Sequence, residues 1–167
     1  MTKFLLSLHV LAAIIAVGPI TVAASMFPPS ARKALAEPED ERAVSALRLL
    51  HRICRVYGGV GVAVPVFGFA TAMSMGVLKD AWLIVSMLLT ALAAMVLLAL
   101  VLPRQEEILE DVARGDGAGA GSAGGTGTAV GAGAATARLA MFTGVFNLLW
   151  ATVTVLMIVR PGSTTGA

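Results

Sequence analysis

Residues 81–102 read AWLIVSMLLTALAAMVLLALVL, an uncharged run that has Trp82 as its second residue and ends before Pro103. At about 1.5 Å per residue, a helix of this length crosses the roughly 30 Å hydrocarbon core of a bilayer. A tryptophan near its start suits the headgroup layer. Runs of similar length and polarity lie at residues 4–27, 56–78 and 139–159. The sequence therefore predicts one all-α domain, a membrane-embedded up-down four-helix bundle.

The composition agrees with this prediction. The 167 residues are 57% hydrophobic and 13% charged, with a mean hydropathy of +0.88. A soluble domain of this size covers its surface with far more charge. The net charge of +2 is too small to indicate nucleic acid. Membrane lipids are the expected partners, together with a second copy of the chain or another membrane protein.

Prolines and polar segments set the expected helix ends. Pro28 and Pro29 predict that the first helix ends at Phe27, because proline cannot continue a helix. Pro65 is expected to leave the second helix uninterrupted, since the backbone in lipid has no other partner. The stretch 37–41, EPEDE, predicts a helix start, because proline and acids suit the first turn.

The connection between the third and fourth runs has two parts. Residues 104–114 predict a short helical extension, capped by Gly115. Residues 115–137 contain nine glycines among alanine, serine and threonine, which predicts a flexible linker. A G-x-G-x-x-G pattern inside this linker has no preceding strand, so we interpret it as an accident of composition.

Cationic residues predict the orientation in the membrane. Nine lie in the connections 28–55 and 103–138, and three lie on the opposite side: Lys3, Lys79 and Arg160. The positive-inside rule places both connections in the cytoplasm and both termini on the opposite side of the membrane. A cleaved signal peptide is the rival interpretation of the first run. The length of that run and the basic segment after it favour a retained span.

His9 is the most unusual residue, because a titratable ring lies only about five residues inside an apolar helix. Such a ring can ligate haem or a soft metal, or carry a proton. Alternatively, it is a neutral histidine that forms a hydrogen bond with a neighbouring helix. Both interpretations stay open at this point.

Methionines on the other three spans are expected at the depth of His9. Thioether sulfur suits Cu(I) or haem iron, although methionine in apolar helices is usually a packing residue. Two of them, Met73 and Met75, are about 200° apart on a helix, so only one can face the bundle. The four candidates are Met73, Met75, Met87 and Met157.

Other polar residues are expected to be structural. His51 and Cys54 are predicted to be a surface histidine and a buried thiol, not a metal site. Asn147 is predicted to join helices by hydrogen bonding. No serine–histidine–acid set, carboxylate pair or metal-spaced cysteines occur in the sequence, so no catalytic or metal-binding residue is predicted. Two ridges of small residues should let helices approach closely: Gly68, Ala72 and Gly76, and Ser86, Thr90 and Ala94.

The stretch FLLSLHVLAAIIAVGP at 4–19, the LLHR at 49–52 and the four-span plan together resemble a known group. This group is a bacterial family of predicted integral membrane proteins of unknown function (domain-of-unknown-function family 2269). More distantly, the chain resembles the copper-resistance D family and the membrane-bound protoporphyrinogen oxidase family. In the oxidase family a histidine early in the first span ligates haem, so that resemblance implies His9 as a ligand of haem b.

These observations lead to three functional hypotheses. The first is a non-catalytic scaffold within a membrane complex, with no cofactor. The second is a protein that handles haem b or copper through His9. The third is a small-solute transporter, which would need a polar cavity lined by Thr21, Thr71, Asn147 and Thr152.

Overall fold

The computed structural model describes residues 2–114 and 126–162, which form helices and turns without any strand. Four helical rods in this part of the chain are long and apolar enough to cross a membrane: Thr2–Ala36, Glu41–Met75, Ala81–Arg114 and Gly133–Val159. The prediction of an all-α fold with four such helices is confirmed. The elements are α1 (Thr2–Ala36), α2 (Glu41–Val60), α3 (Ala63–Met75), α4 (Ala81–Met95), a π-helical segment (Val96–Val101), α5 (Leu102–Arg114) and α6 (Thr126–Val159).

The predicted end of α1 at Phe27 is wrong. The helix continues through Pro28 and Pro29 to Ala36. Each proline removes one backbone hydrogen bond and costs about 3 kcal/mol in a helix interior. Fully buried apolar residues on both sides of the pair, Phe27 and Ala31, belong to the main core and offset this cost.

The second rod is interrupted where an unbroken helix was expected. Gly61 and Val62 form a turn between α2 and α3. Pro65 has no N–H for the carbonyl of Gly61, which accepts instead from the amide of Val64 at 3.1 Å. The rod ends at Met75, before Leu78, because Gly76 adopts a left-handed conformation with a φ of 71°.

Helix α2 starts within the predicted stretch 37–41, but only Glu41 lies in its first turn, and Pro38 and Glu39 belong to the turn before it. Asp40 is the N-cap, and its carboxylate accepts hydrogen bonds from the backbone amides of Arg42 at 3.0 Å and Ala43 at 3.4 Å. These bonds satisfy amides that have no partner inside the first turn of a helix.

The third rod passes through Pro103 without a break. The π-helical segment comes directly before this proline, and the amide of Leu102 donates to the carbonyl of Leu97, five residues back. We attribute the passage to this wider turn, since a proline ring clashes with the carbonyl four residues before it in a regular α-helix.

The linker prediction is wrong for residues 126–137, which belong to α6. Alanine is the strongest helix former and offsets the glycines, and Thr136 and Leu139 are buried in the bundle. Residues 115–125, including the predicted cap at Gly115, lie outside the described residues. The end of α6 at Val159 is as predicted.

The two ends of the bundle are packed differently. In the half where α1 ends and α2 begins, a continuous apolar core contains Phe27, Leu47, Val101 and Leu139, all fully buried. In the other half, α1, α3, α4 and α6 surround a cavity. We call these the packed half and the hollow half.

Candidate functional site

The cavity of the hollow half has a volume of about 1170 Å³. Ligand pockets in proteins usually measure roughly 300–1,000 Å³, so this one can hold a large organic molecule. Apolar side chains form most of its wall, including Ile14, Phe69, Leu83 and Trp150. The polar residues on the wall are His9, Thr71, Thr90, Thr154 and Arg160.

His9 lines the cavity, and its Nδ1 atom lies 2.9 Å from the carbonyl oxygen of Val64 on α3. A carbonyl oxygen only accepts, so Nδ1 must carry the hydrogen and donate it. In the neutral ring, Nε2 then keeps its lone pair. No hydrogen bond of Nε2 is found in the described part of the chain. The ring is therefore tied to a neighbouring helix and also keeps one nitrogen available as a ligand.

Gly68 makes this position of the ring possible. A Cβ atom at residue 68 would lie 2.9 Å from Cε1 of His9, closer than real Cβ contacts, and 3.1 Å from Nδ1, which is a tight contact. Gly68 was predicted to belong to a ridge that lets another helix approach closely. It instead accommodates the side chain of His9. Gly76 lies at the left-handed end of α3 and is not part of a helix ridge. Ala72 is buried and packs against Trp82 and Leu83 of α4.

Met75, Met87 and Met157 line the cavity together with His9. Met73 is 58% exposed and is not part of the cavity wall. This arrangement confirms that only one methionine of the 73/75 pair faces the interior. Within the described ranges, no group of three or more histidine, cysteine or acidic residues could hold a metal ion.

Asn147 joins two helices, as predicted: its Nδ2 atom donates to Oγ of Ser25 on α1 at 3.0 Å. Its Oδ1 atom and Oγ1 of Thr143 are buried without a hydrogen-bond partner among the described residues. Of the four residues expected to line a transport path, only Thr71 lies on the cavity wall. The other three, Thr21, Asn147 and Thr152, are not part of the wall.

The prediction of a surface position for His51 is wrong, since this residue is only 9% exposed. Its Nδ1 atom lies 3.1 Å from Oε1 of Gln105 on α5, and its Nε2 atom lies 3.6 Å from a carboxylate oxygen of Glu106. Nε2 of Gln105 contacts Sγ of Cys54 at 3.6 Å. The buried position of Cys54 is confirmed.

Gln105 is fully buried, and its role was not predicted from the sequence. Its position carried a signal, because Val101, Gln105, Ile108 and Val112 follow a helical repeat that places them on one face. A polar residue inside such an apolar stripe indicates a buried partner.

Comparisons with protein-family models, with curated proteins and with solved structures found no match to this chain.

Proposed function

We propose that this chain is a multi-pass protein of a bacterial plasma membrane, with both termini outside the cytoplasm. Four apolar helical rods support the membrane location. The excess of arginine and lysine in the connections 28–55 and 103–138 supports the orientation. In this orientation the hollow half lies toward the outer surface and the packed half toward the cytoplasm. Membership of the domain-of-unknown-function family 2269 is part of the same proposal.

Within the membrane, we propose that the cavity binds haem b and that Nε2 of His9 is the iron ligand. The hydrogen bond from Nδ1 of His9 to the carbonyl of Val64 carries this proposal. Iron- and metal-ligating histidines commonly donate their other ring nitrogen to a carbonyl or carboxylate, which fixes the tautomer and the ring orientation. The volume and apolar walls of the cavity suit a large flat macrocycle.

The chain supplies a ligand nitrogen and a mostly apolar surrounding at this site. His9 would hold the iron, Gly68 keeps space for the imidazole ring of His9, and the wall around them is mostly apolar. Sulfur of Met75, Met87 or Met157 is a chemically suitable second ligand. Bound haem would supply one-electron chemistry. Copper(I) is an alternative ligand of the cavity in place of haem, because the same histidine nitrogen and methionine sulfur atoms would suit it.

A non-catalytic scaffold that binds another membrane protein is the alternative proposal. The outer faces of the helices support it, because large apolar side chains such as Phe4, Leu88 and Leu148 are more than 60% exposed there. Lipid covers such faces equally well, so we rank this proposal below haem binding. It predicts a colourless protein that folds without any cofactor.

The absorbance of the full-length protein, purified in detergent and supplied with haem, tests the proposal. We expect a Soret band in the wild type and its loss in His9→Gln, which can still donate to the Val64 carbonyl but offers no imidazole nitrogen. Met75→Leu should shift the spectrum if that sulfur is the second ligand, and Met73→Leu, outside the cavity, should leave it unchanged. A Soret band that persists in His9→Gln would exclude His9 as the ligand.

A further inference from the structure

Arg160 holds an unusual position at the outer end of the cavity. It follows the last residue of α6 and has a φ of 46°, a left-handed conformation that is uncommon for a residue with a side chain. Pro161 comes next, and a residue before proline is further restricted. The chain therefore holds an arginine where glycine would be less strained.

This backbone conformation accompanies a side chain that lies on the cavity wall. The guanidinium carbon is 5.7 Å from the centre of the Trp82 ring, within the range of a cation–π interaction. The Nε atom donates to the carbonyl of Met157 at 3.4 Å. No ion pair of Arg160 is found within residues 2–114 and 126–162, and Asp80 accepts from Nε1 of Trp82 instead. Among the described residues, the two terminal nitrogens of Arg160 thus have no anionic partner.

The depth of the cavity indicates what kind of molecule fits below this cation. On α6 the wall extends from Trp150 to Arg160, which is about 15 Å along the helix. That distance equals roughly half of the hydrocarbon core, or one leaflet. The wall between these two residues includes Val153, Met157 and Ile158. A ligand that fills this space needs an apolar body about one leaflet long.

We infer that the cavity selects an anionic amphiphile, with its apolar body among α1, α3, α4 and α6 and its carboxylate or phosphate on Arg160. The planar guanidinium binds such groups through two parallel hydrogen bonds, which a lysine cannot reproduce. The inference rests on the proposed function only in treating the cavity as a ligand site. Haem, with its propionates, and single-chain lipid acids share this chemistry.

Fluorescence titration of the detergent-purified full-length protein tests the inference with two matched ligand pairs. One pair is protoporphyrin IX and its dimethyl ester, which contain no iron and need no ligation by His9. The other pair is cis-parinaric acid and its methyl ester. For at least one pair, the acid should bind about tenfold more tightly than the ester, since charged hydrogen bonds are strong.

Three variants assign this preference to a residue. Arg160→Gly removes the cation and relieves the left-handed strain, so the fold is preserved, and we expect the acid-to-ester ratio to fall to within about threefold. Arg160→Lys should keep part of the preference. Lys79→Gln removes an exposed cation on the same side of the membrane and should leave the ratio unchanged.

The outcomes separate this inference from haem binding. A preference for parinaric acid that Arg160→Gly abolishes, in a protein with no Soret band, supports the inference and contradicts the haem proposal. Equal binding of acid and ester by the wild type, or a ratio that survives in Arg160→Gly, overturns the inference even if haem binds. Failure of both pairs to bind overturns it as well.

Discussion

The imidazole of His51 and the amide of Gln105 meet 3.1 Å apart between α2 and α5, and both side chains are buried. The same amide contacts the thiol of Cys54. Gln105 thus connects two polar groups of α2, and the second ring nitrogen of His51 faces the carboxylate of Glu106 at 3.6 Å.

We expect Gln105→Leu to lower the free energy of unfolding by about 1–3 kcal/mol, because it leaves His51 with a buried nitrogen that has no partner. Thermal unfolding in detergent measures this loss. The double variant His51→Leu/Gln105→Leu should cost less than the sum of the single changes. Glu107→Gln, at an exposed neighbouring position, serves as the control. An unchanged melting temperature in Gln105→Leu would show that the contact contributes nothing to stability.

Gly68→Ala should destabilise the protein by about 1–3 kcal/mol, because the added methyl group overlaps the ring of His9. The second change His9→Ala should restore most of the loss, since it removes the overlapping ring. Gly18→Ala is the matched control, because a Cβ atom there meets nothing within 4 Å. Equal stability of Gly68→Ala and Gly18→Ala would contradict the close contact.

Asp40 predicts a dependence of stability on pH. The hydrogen bond from the backbone amide of Arg42 lowers the pKa of the Asp40 carboxyl below its ordinary value, and the amide of Ala43 and the charge of Lys33 contribute. A lowered pKa in the folded state means that this stabilisation is complete above the ordinary pKa and is lost as pH falls through the lowered value. Asp40→Asn still caps the helix but does not ionise. Its melting temperature should therefore fall less than that of the wild type between about pH 5 and about pH 2. Parallel curves for the two proteins would contradict the role of the carboxylate.

Cysteine labelling tests the proposed orientation. The native Cys54 is buried and should stay unlabelled, while Ser45 and Lys79 are exposed on opposite sides of the proposed membrane. A membrane-impermeant maleimide added to intact cells should label Lys79→Cys at once and Ser45→Cys only after permeabilisation. The reverse pattern would invert the orientation.

The number of membrane-length helices could be predicted from the sequence, because uncharged runs of this length have few alternatives. The helix ends could not be predicted equally well. Pro28, Pro65 and Pro103 have the same intrinsic effect on a helix, but the structure accommodates each of them differently. Helix α1 continues through Pro28, where buried neighbours offset the cost. A two-residue turn precedes Pro65, and a π-helical segment precedes Pro103. Which of these outcomes occurs depends on packing against neighbouring helices, and the local sequence around a proline carries no information about that packing.

The candidate site was only half visible in the sequence. His9 is conspicuous because it is a titratable residue in an apolar run. Its partner is the backbone carbonyl of Val64, and every residue has a carbonyl. The contact with Gly68 depends equally on how α1 packs against α3. Arg160 was visible only as a cation that helped to set the orientation.

Because the molecule has a packed half and a hollow half, a ligand can enter the cavity while the core of the packed half stays intact. The inner portion anchors all four rods independently of what fills the outer portion. Helices that are held together in the packed half can move apart in the hollow half. Amide hydrogen exchange should therefore be slowest near Leu47 and Val101 and faster around the hollow half, where local opening costs less free energy.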